Sequence, residues 1–133
     1  MNQIATFDRW TTAEAYDAYM GRWSRMIADR FVEWLEVPEG ARWLDVGCGT
    51  GVLTEAVISH CAPSAIVAVD PSAEFIDCAS HRVLHPAAQF SLGSAQELPV
   101  ESGAVDIVTS GLVLNFVPDP EDALRNMARA VRP

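Results

Sequence analysis

The chain has 133 residues, half of them apolar and a fifth charged, which suits one globular domain with a real core. Its formal net charge is −9, and its nine basic residues are all arginine, with no lysine. That balance argues against a surface built to grip nucleic-acid phosphates, and it removes both Schiff-base lysine chemistry and the lysine of a Walker-type phosphate loop.

The N-terminus, MNQIATFDRW, has no basic segment followed by an apolar run, and no apolar stretch approaches the roughly 20 residues of a membrane span. A soluble cytoplasmic chain that engages neither membrane nor nucleic acid is expected. TTAEAYDAYM opens with Thr11 followed three residues later by Glu14, a capping-box pattern that starts a helix. Gly21 is expected to interrupt it. A second helical run carries Trp23, Met26, Ile27, Phe31, Trp34 and Leu35 at helical spacing, an apolar stripe that should lie on the core. Pro38 and Gly40 then make a turn.

From Ala41 onward, strands alternate with helices. ARWLDVG reads as a short buried strand, and TGVLTEAVISH as a helix burying Leu53, Ala56 and Val57. AIVAVD is a continuous apolar run, as in a strand covered on both faces. Ser72 caps the next helix, which turns Phe75, Ile76, Ala79 and Val83 inward and stops at Pro86. AQFSLG is a third strand and VDIVTSGLVL a fourth, with an irregular segment over residues 94–104 between them. Asp119 caps the last helix, with Pro120 at its first position and Glu121 and Asp122 in its first turn. Leu124, Met127, Ala128 and Val131 form its apolar face, while Arg125, Arg129 and Arg132 gather toward its C-terminal end. Strand–helix repeats with short connections give an α/β architecture, a parallel sheet with helices on both faces.

The cysteines, Cys48, Cys61 and Cys78, form no C-x-x-C pair and read as small buried apolar residues in a reducing compartment. His81 and His85 stand four apart on one expected helix face. No third ligand lies nearby, so a solvated helix end is preferred to a metal site.

Gly47, Gly49 and Gly51 alternate between a strand and a helix, where backbone free of side chains allows close approach of a ligand. Asp70 ends the second strand, 19 residues after Gly51, and is placed to accept both hydroxyls of a ribose; the competing reading is a helix cap, for which Ser72 is better placed. Asp45 lies just before the loop. It would oppose a pyrophosphate and favour a cationic ligand. One residue separates Gly49 from Gly51, where the dinucleotide fingerprint needs two.

LDVGCGTG, VAVDPS, GSAQELPV, DIVTSGLVLNFVPDPEDAL and RAVRP, in that order, resemble a class I S-adenosylmethionine-dependent methyltransferase of the type 11 kind over nearly the whole chain. YDAYMGRWSR is similar to the helix preceding the core in one small-molecule-type branch of that superfamily. The resemblance implies a three-layer Rossmann-like sheet with strands in the order 3-2-1-4, the first half of a seven-strand fold. Residues 1–40 would form a helical segment on the core, and residues 41–133 a cofactor-binding half-domain ending before the fifth strand.

By position, Gly47, Gly49 and Gly51 would meet the methionine and ribose parts of S-adenosylmethionine, with Asp45 near the ammonium and Asp70 on the ribose hydroxyls. Pro71 and Ser72 would line the adenine edge. Ser94, followed by Ala95 and Gln96, stands where the family usually has an acid facing the adenine amino group, which weakens that contact. Residues 110–115 would face the methionine and the acceptor. Tyr16, Arg22 and Trp23 would close over the cofactor, with Arg22 on its carboxylate; surface or core roles are the alternative for these three.

The expected activity is methyl transfer to a small-molecule acceptor, without metal and with no catalytic residue assigned. Asn115 lies near the acceptor side, or else serves the turn beside FVPDP. The alternatives are a nicotinamide-dependent oxidoreductase and a non-catalytic cofactor-binding module. The fourth strand would be a sheet edge, covered by a second copy of the chain.

Overall fold

In the computed structural model, which describes residues 13–133, the first element is one continuous helix, α1 (Ala13–Leu35). Thr11 and the Glu14 side chain lie outside the described residues. Gly21 does not break α1. It is buried, and a glycine in a helix interior costs only about 1 kcal/mol when a close approach repays it. The buried arc of α1 is Gly21, Ala28 and Val32, flanked by half-buried Phe31 and Leu35. Trp23, Met26, Ile27 and Trp34, expected on the core, are exposed instead. The space against the neighbouring helix admits small side chains, so the bulky ones are displaced to the flank.

The sheet holds β1 (Arg42–Val46), β2 (Ala65–Asp70), β3 (Ala88–Leu92) and β4 (Ile107–Thr109), all parallel, in the order β3-β2-β1-β4. This is the expected α/β order. Trp43 of β1 packs with α1 and α2 (Val52–Cys61) on one face, together with Ile66 of β2. Leu44 and Val46 point to the other face and pack with Val69 and with Ala123, Met127 and Ala130 of α4 (Pro120–Ala130). The period-two alternation of β1 thus feeds two separate cores.

In α2, Ala56 and Val57 are buried as expected, whereas Leu53 is half-buried and Thr54 takes an interior place. α3 (Ala73–Arg82) starts at Ser72, whose hydroxyl accepts from Phe75 N. It stops at Arg82, short of Pro86, because Val83 turns to extended backbone. His81 and His85 therefore share no helix face. His81 bonds the Asp77 carbonyl, and His85 Nδ1 accepts from Ala87 N. Cys48 and Cys61 are buried, while Cys78 is only half-buried.

α4 begins as expected, with the Asp119 side chain accepting from Asp122 N. Its inward face is shifted, though: Leu124 and Ala128 are exposed, and Ala123 and Ala130 take their places. β4 is also shorter than the apolar run VDIVTSGLVL. The chain leaves the sheet after Thr109, Leu112 turns to φ +59°, and a 3-10 turn follows at Leu114–Phe116. The outer side of the segment entering β4 is not bare. Val131 pairs in parallel with Val105, through Val105 N to Ala130 O at 3.1 Å and Arg132 N to Val105 O at 2.9 Å. Asp106 fastens this corner: it accepts from Arg42 N at 2.7 Å and pairs with Arg132 Nε at 2.6 Å. The Arg42 backbone bond, with the nearby guanidinium groups of Arg42 and Arg132, holds the Asp106 carboxyl below its ordinary range.

Gly51 opens α2 at φ +89°, and a Cβ there would sit 3.1 Å from Ala79 Cβ and 3.3 Å from its Cα. The second neighbour is backbone and cannot step aside cheaply. Gly51→Ala should therefore lower stability by about 2–3 kcal/mol in urea unfolding. Gly40→Ala, at φ +83° but with nothing within 4 Å, should cost only the backbone part, about 1 kcal/mol.

Candidate functional site

The loop between β1 and α2 is fastened to β2. Gly47 N and Cys48 N both donate to Val69 O, at 2.8 and 2.9 Å, and Gly49 N donates to Asp70 Oδ2 at 3.0 Å. The three glycines meet three different demands. A Cβ on Gly47, at φ +73°, would overlap the Val113 side chain, so this glycine admits the loop that follows β4. Gly51 admits α3. Only Gly49, at φ +54°, has open space where its Cβ would be. A ligand can lie against the backbone there.

Asp70 is 7% exposed, and both its oxygens are engaged by backbone: Oδ2 by Gly49 N, and Oδ1 by Ser72 N at 2.9 Å. Burial pushes its carboxyl up, and those two bonds pull it partly back. Asp45 is 1% exposed, and its Oδ2 accepts from Thr54 Oγ1 at 2.7 Å. Burial raises it to about 6, against the Thr54 bond, and the Asp70 charge adds to the rise. The Cys48 thiol is pushed up by burial and by both carboxylates, so it stays protonated and is no nucleophile.

Two clefts meet at this loop. The larger, about 600 Å³, is lined by Gly47, Gly49, Asp70, Pro71, Ser72, Phe75, Ser94, Ala95 and Gln96 on one side, and by Leu112, Val113, Phe116 and Val117 on the other. The smaller, about 210 Å³, lies under α1 and holds Asp45, Cys48, Thr50 and Ser110 against Ser24, Ile27, Ala28 and Phe31. Most of the residues singled out by sequence therefore converge. Gly51 lines neither cleft. Arg22 lines neither as well: it is exposed, its guanidinium 6.0 Å from the ring centre of Trp23, so α1 turns Ser24 and Ala28 to the site instead. The Tyr16 side chain lies outside the described residues. Asn115 is exposed and away from both clefts.

The rim over residues 94–96 is built by hydrogen bonds. Ser94 Oγ accepts from Glu97 N at 3.2 Å, and Gln96 Nε2 donates to Asp119 O at 3.0 Å. Asn126 Nδ2 donates to both Ala95 O and Gln96 O, at 3.2 and 2.9 Å. Sequence reasoning passed over Asn126, Thr54 and Phe75 as site residues, whereas Leu112 lies in the segment 110–115 expected to face the site. Only Thr54 left a signal, a hydroxyl one turn into the helix that follows a buried acid.

A mostly apolar cleft with one carboxylate at the strand end and bare backbone at Gly49 fits a nucleoside: base against the walls, ribose hydroxyls toward Asp70. Among the described residues no arginine or histidine lines either cleft, although Arg82 donates to Thr50 Oγ1 at 3.2 Å, and a pyrophosphate would face Asp45 and Asp70 directly. The fold is an α/β domain whose cleft lies at the carboxyl ends of parallel strands, where such sheets receive their ligands.

The chain belongs to the class I S-adenosylmethionine-dependent methyltransferase family: the family model described as "Methyltransferase domain" matches residues 44–133. Demethylmenaquinone methyltransferase of Bacillus licheniformis is 36% identical over 108 residues, covering 79% of this chain and 46% of that protein. Ubiquinone biosynthesis O-methyltransferase of Xanthomonas oryzae pv. oryzae is 36% identical over 97 residues, 71% of this chain and 40% of that one. Among solved structures, a methyltransferase in complex with a Haloferax volcanii methyltransferase activator superposes with a TM-score of 0.85 at 25% identity, over 91% of this chain and 54% of that one. The chain thus spans less than half the length of these two curated relatives. No described helix is long and apolar enough to cross a membrane.

Because the Asp45 carboxyl is raised when folded, its ionisation opposes folding: the stability it contributes is full below pH 3.8 and is lost as pH rises through about 6. Asp45→Asn keeps an acceptor for Thr54 and removes that loss. It should be more stable than the parent at pH 8 by about 2–3 kcal/mol, with the gap closing toward pH 4, in paired urea titrations.

Proposed function

We propose that this chain binds S-adenosylmethionine in the joined clefts and serves methyl transfer to a small-molecule acceptor. The observation that carries the reading is the Asp70 carboxylate beside the open backbone of Gly49. Each Asp70 oxygen spends one lone pair on a backbone N–H and keeps another for a ribose hydroxyl. Pro71, Ser72 and Phe75 offer one wall to the adenine, and Ser94, Ala95 and Gln96 its edge. Ser94 lacks charge, and its hydroxyl already accepts from Glu97 N, which leaves it a donor there. Gly47 and Gly49 join this cleft to the smaller one, where Asp45 would meet the ammonium.

When bound, the cofactor supplies an electrophilic methyl group on a sulfonium, so the protein's task is alignment and exclusion of water. The apolar side chains of Ile27, Phe31, Leu53 and Leu112 suit that exclusion. No side chain in either cleft is assigned as a general base. Arg22 has no part in this reading, because it stands outside both clefts. Self-pairing through the outer edge of Ile107–Thr109 belongs to the same proposal; sedimentation giving a monomer at high concentration would remove that part alone.

Calorimetry should show S-adenosylmethionine and S-adenosylhomocysteine binding, with no heat from NAD. Asp70→Ala should weaken both by roughly 10- to 100-fold, since it removes charge-assisted bonds worth about 1.5–3 kcal/mol. Affinity for S-adenosylmethionine should rise between pH 5 and 7.5 as Asp45 gives up its proton, and Asp45→Asn should flatten that rise. Binding of NAD in preference to either nucleoside would defeat the proposal. Methyl transfer by the 133-residue chain to a panel of phenols, enols and amines tests the catalytic half of it separately.

A further inference from the structure

Four residues line both clefts, and among Gly47, Gly49, Gly111 and Leu112 only Leu112 has a side chain to present. It carries two costs at once. Its φ is +59°, a region that branched side chains rarely occupy, and it is 58% exposed to solvent. A glycine would relieve both. Strain and exposed apolar surface at one position, where two clefts join, mark a place kept for a ligand. The rim continues the same chemistry, with Ile27 on α1 and Phe116 on the far side both exposed.

Charge narrows what that ligand is. Among the described residues the titratable groups lining the clefts are Asp45, Cys48 and Asp70, and the guanidinium of Arg82 stands behind the lining at Thr50 rather than in it. An anionic acceptor would meet two carboxylates and no partner. A cationic one gains little once the cofactor is bound, because in the reading above Asp70 then holds the ribose hydroxyls and Asp45 faces the cofactor's own ammonium. We propose that Leu112 is a specificity-determining residue, the apolar platform on which an uncharged acceptor lies at the junction of the clefts. This rests on the methyl-transfer reading above, since the junction is where an acceptor must reach the donor.

The test titrates the 133-residue chain, saturated with S-adenosylhomocysteine, with 2-naphthol, 2-naphthoate and 2-naphthylmethylammonium, following probe fluorescence. The neutral probe should bind at least tenfold more tightly than either charged one. Leu112→Asn, which tolerates the same backbone conformation, should cost the neutral probe about tenfold and narrow its advantage over naphthoate. Leu112→Met should restore most of it. A merely structural Leu112 would shift all three probes together. Should the asparagine variant fail to fold, Leu112→Gly gives the same comparison without strain.

Equal or tighter binding of naphthoate or the ammonium probe would overturn the inference. So would neutral binding indifferent to Leu112, or sedimentation showing a second copy that excludes the probe. If S-adenosylhomocysteine itself does not bind, the cofactor reading fails on its own, and probe discrimination by the unliganded chain still decides the role of Leu112.

Discussion

The site depends on how the glycine loop is fastened to the end of β2. Three consecutive backbone donors, from Gly47, Cys48 and Gly49, are spent on Val69 O and Asp70 Oδ2. These bonds hold the loop in left-handed conformations at Gly47 and Gly49 and aim its open side away from the sheet. They also fix the Asp70 carboxylate at the strand end, where a ligand crossing the sheet finds it. A loop free to move would solvate Asp70 and lose the alignment. The parallel register, with Val46 opposite Val69, brings the two strand ends level so that this fastening can form.

Fastening brings two carboxyl groups into one poorly solvated region. Asp70 is compensated by backbone donors, but Asp45, which accepts from the Thr54 hydroxyl, remains raised to about 6. Buried acid that opposes folding at neutral pH is a poor choice for stability alone. It becomes sensible when a cationic ligand supplies the missing counter-charge. The same strain between stability and function recurs at Leu112, where backbone conformation and exposure both run against what a folded domain prefers.

Much of this was legible in the residues. The unbroken run AIVAVD could only be a strand covered on both faces, and Asp119 with Pro120 announces a helix start by cap and by ring geometry. The acid at the end of β2 and the glycines lead to one cleft, which Gly47, Gly49 and Asp70 line together. What sequence could not show depends on shape. Hydropathy ranks Trp23 and Trp34 above Ala28, but packing between α1 and α2 rewards small size, so the apolar stripe was placed about a third of a turn away from the buried arc. The apolar residues of VDIVTSGLVL suggest a longer β4, but the chain leaves the sheet after Thr109 and Leu112 takes φ +59°, which its side chain does not signal. Arg22 was chosen for its charge; the helix phase that turns Ser24 inward instead is visible only once the helix is known to run unbroken through Gly21.

The last helix shows how residues outside the clefts decide their shape. α4 contributes no side chain to either, yet Asn126 holds the carbonyls of Ala95 and Gln96, and Gln96 reaches back to Asp119 O at the start of α4. Immediately before that helix, Gly111, Leu112, Val113, Phe116, Val117 and Pro118 form the opposite wall, with Val117 packed against the core that α4 closes. Both rims of the larger cleft are therefore set by where α4 starts and how it seats. Its position follows from Asp119 at the cap and from the small faces of Ala123 and Ala130, which let it lie close on Leu44 and Val46. A change at those alanines would be felt first as core packing and then as a change in cleft width, so the cofactor end and the acceptor end would shift together. The contact of Val113 with Gly47 ties them a second time. Coupling between the two clefts is thus built into the four-stranded sheet and the helix that closes it.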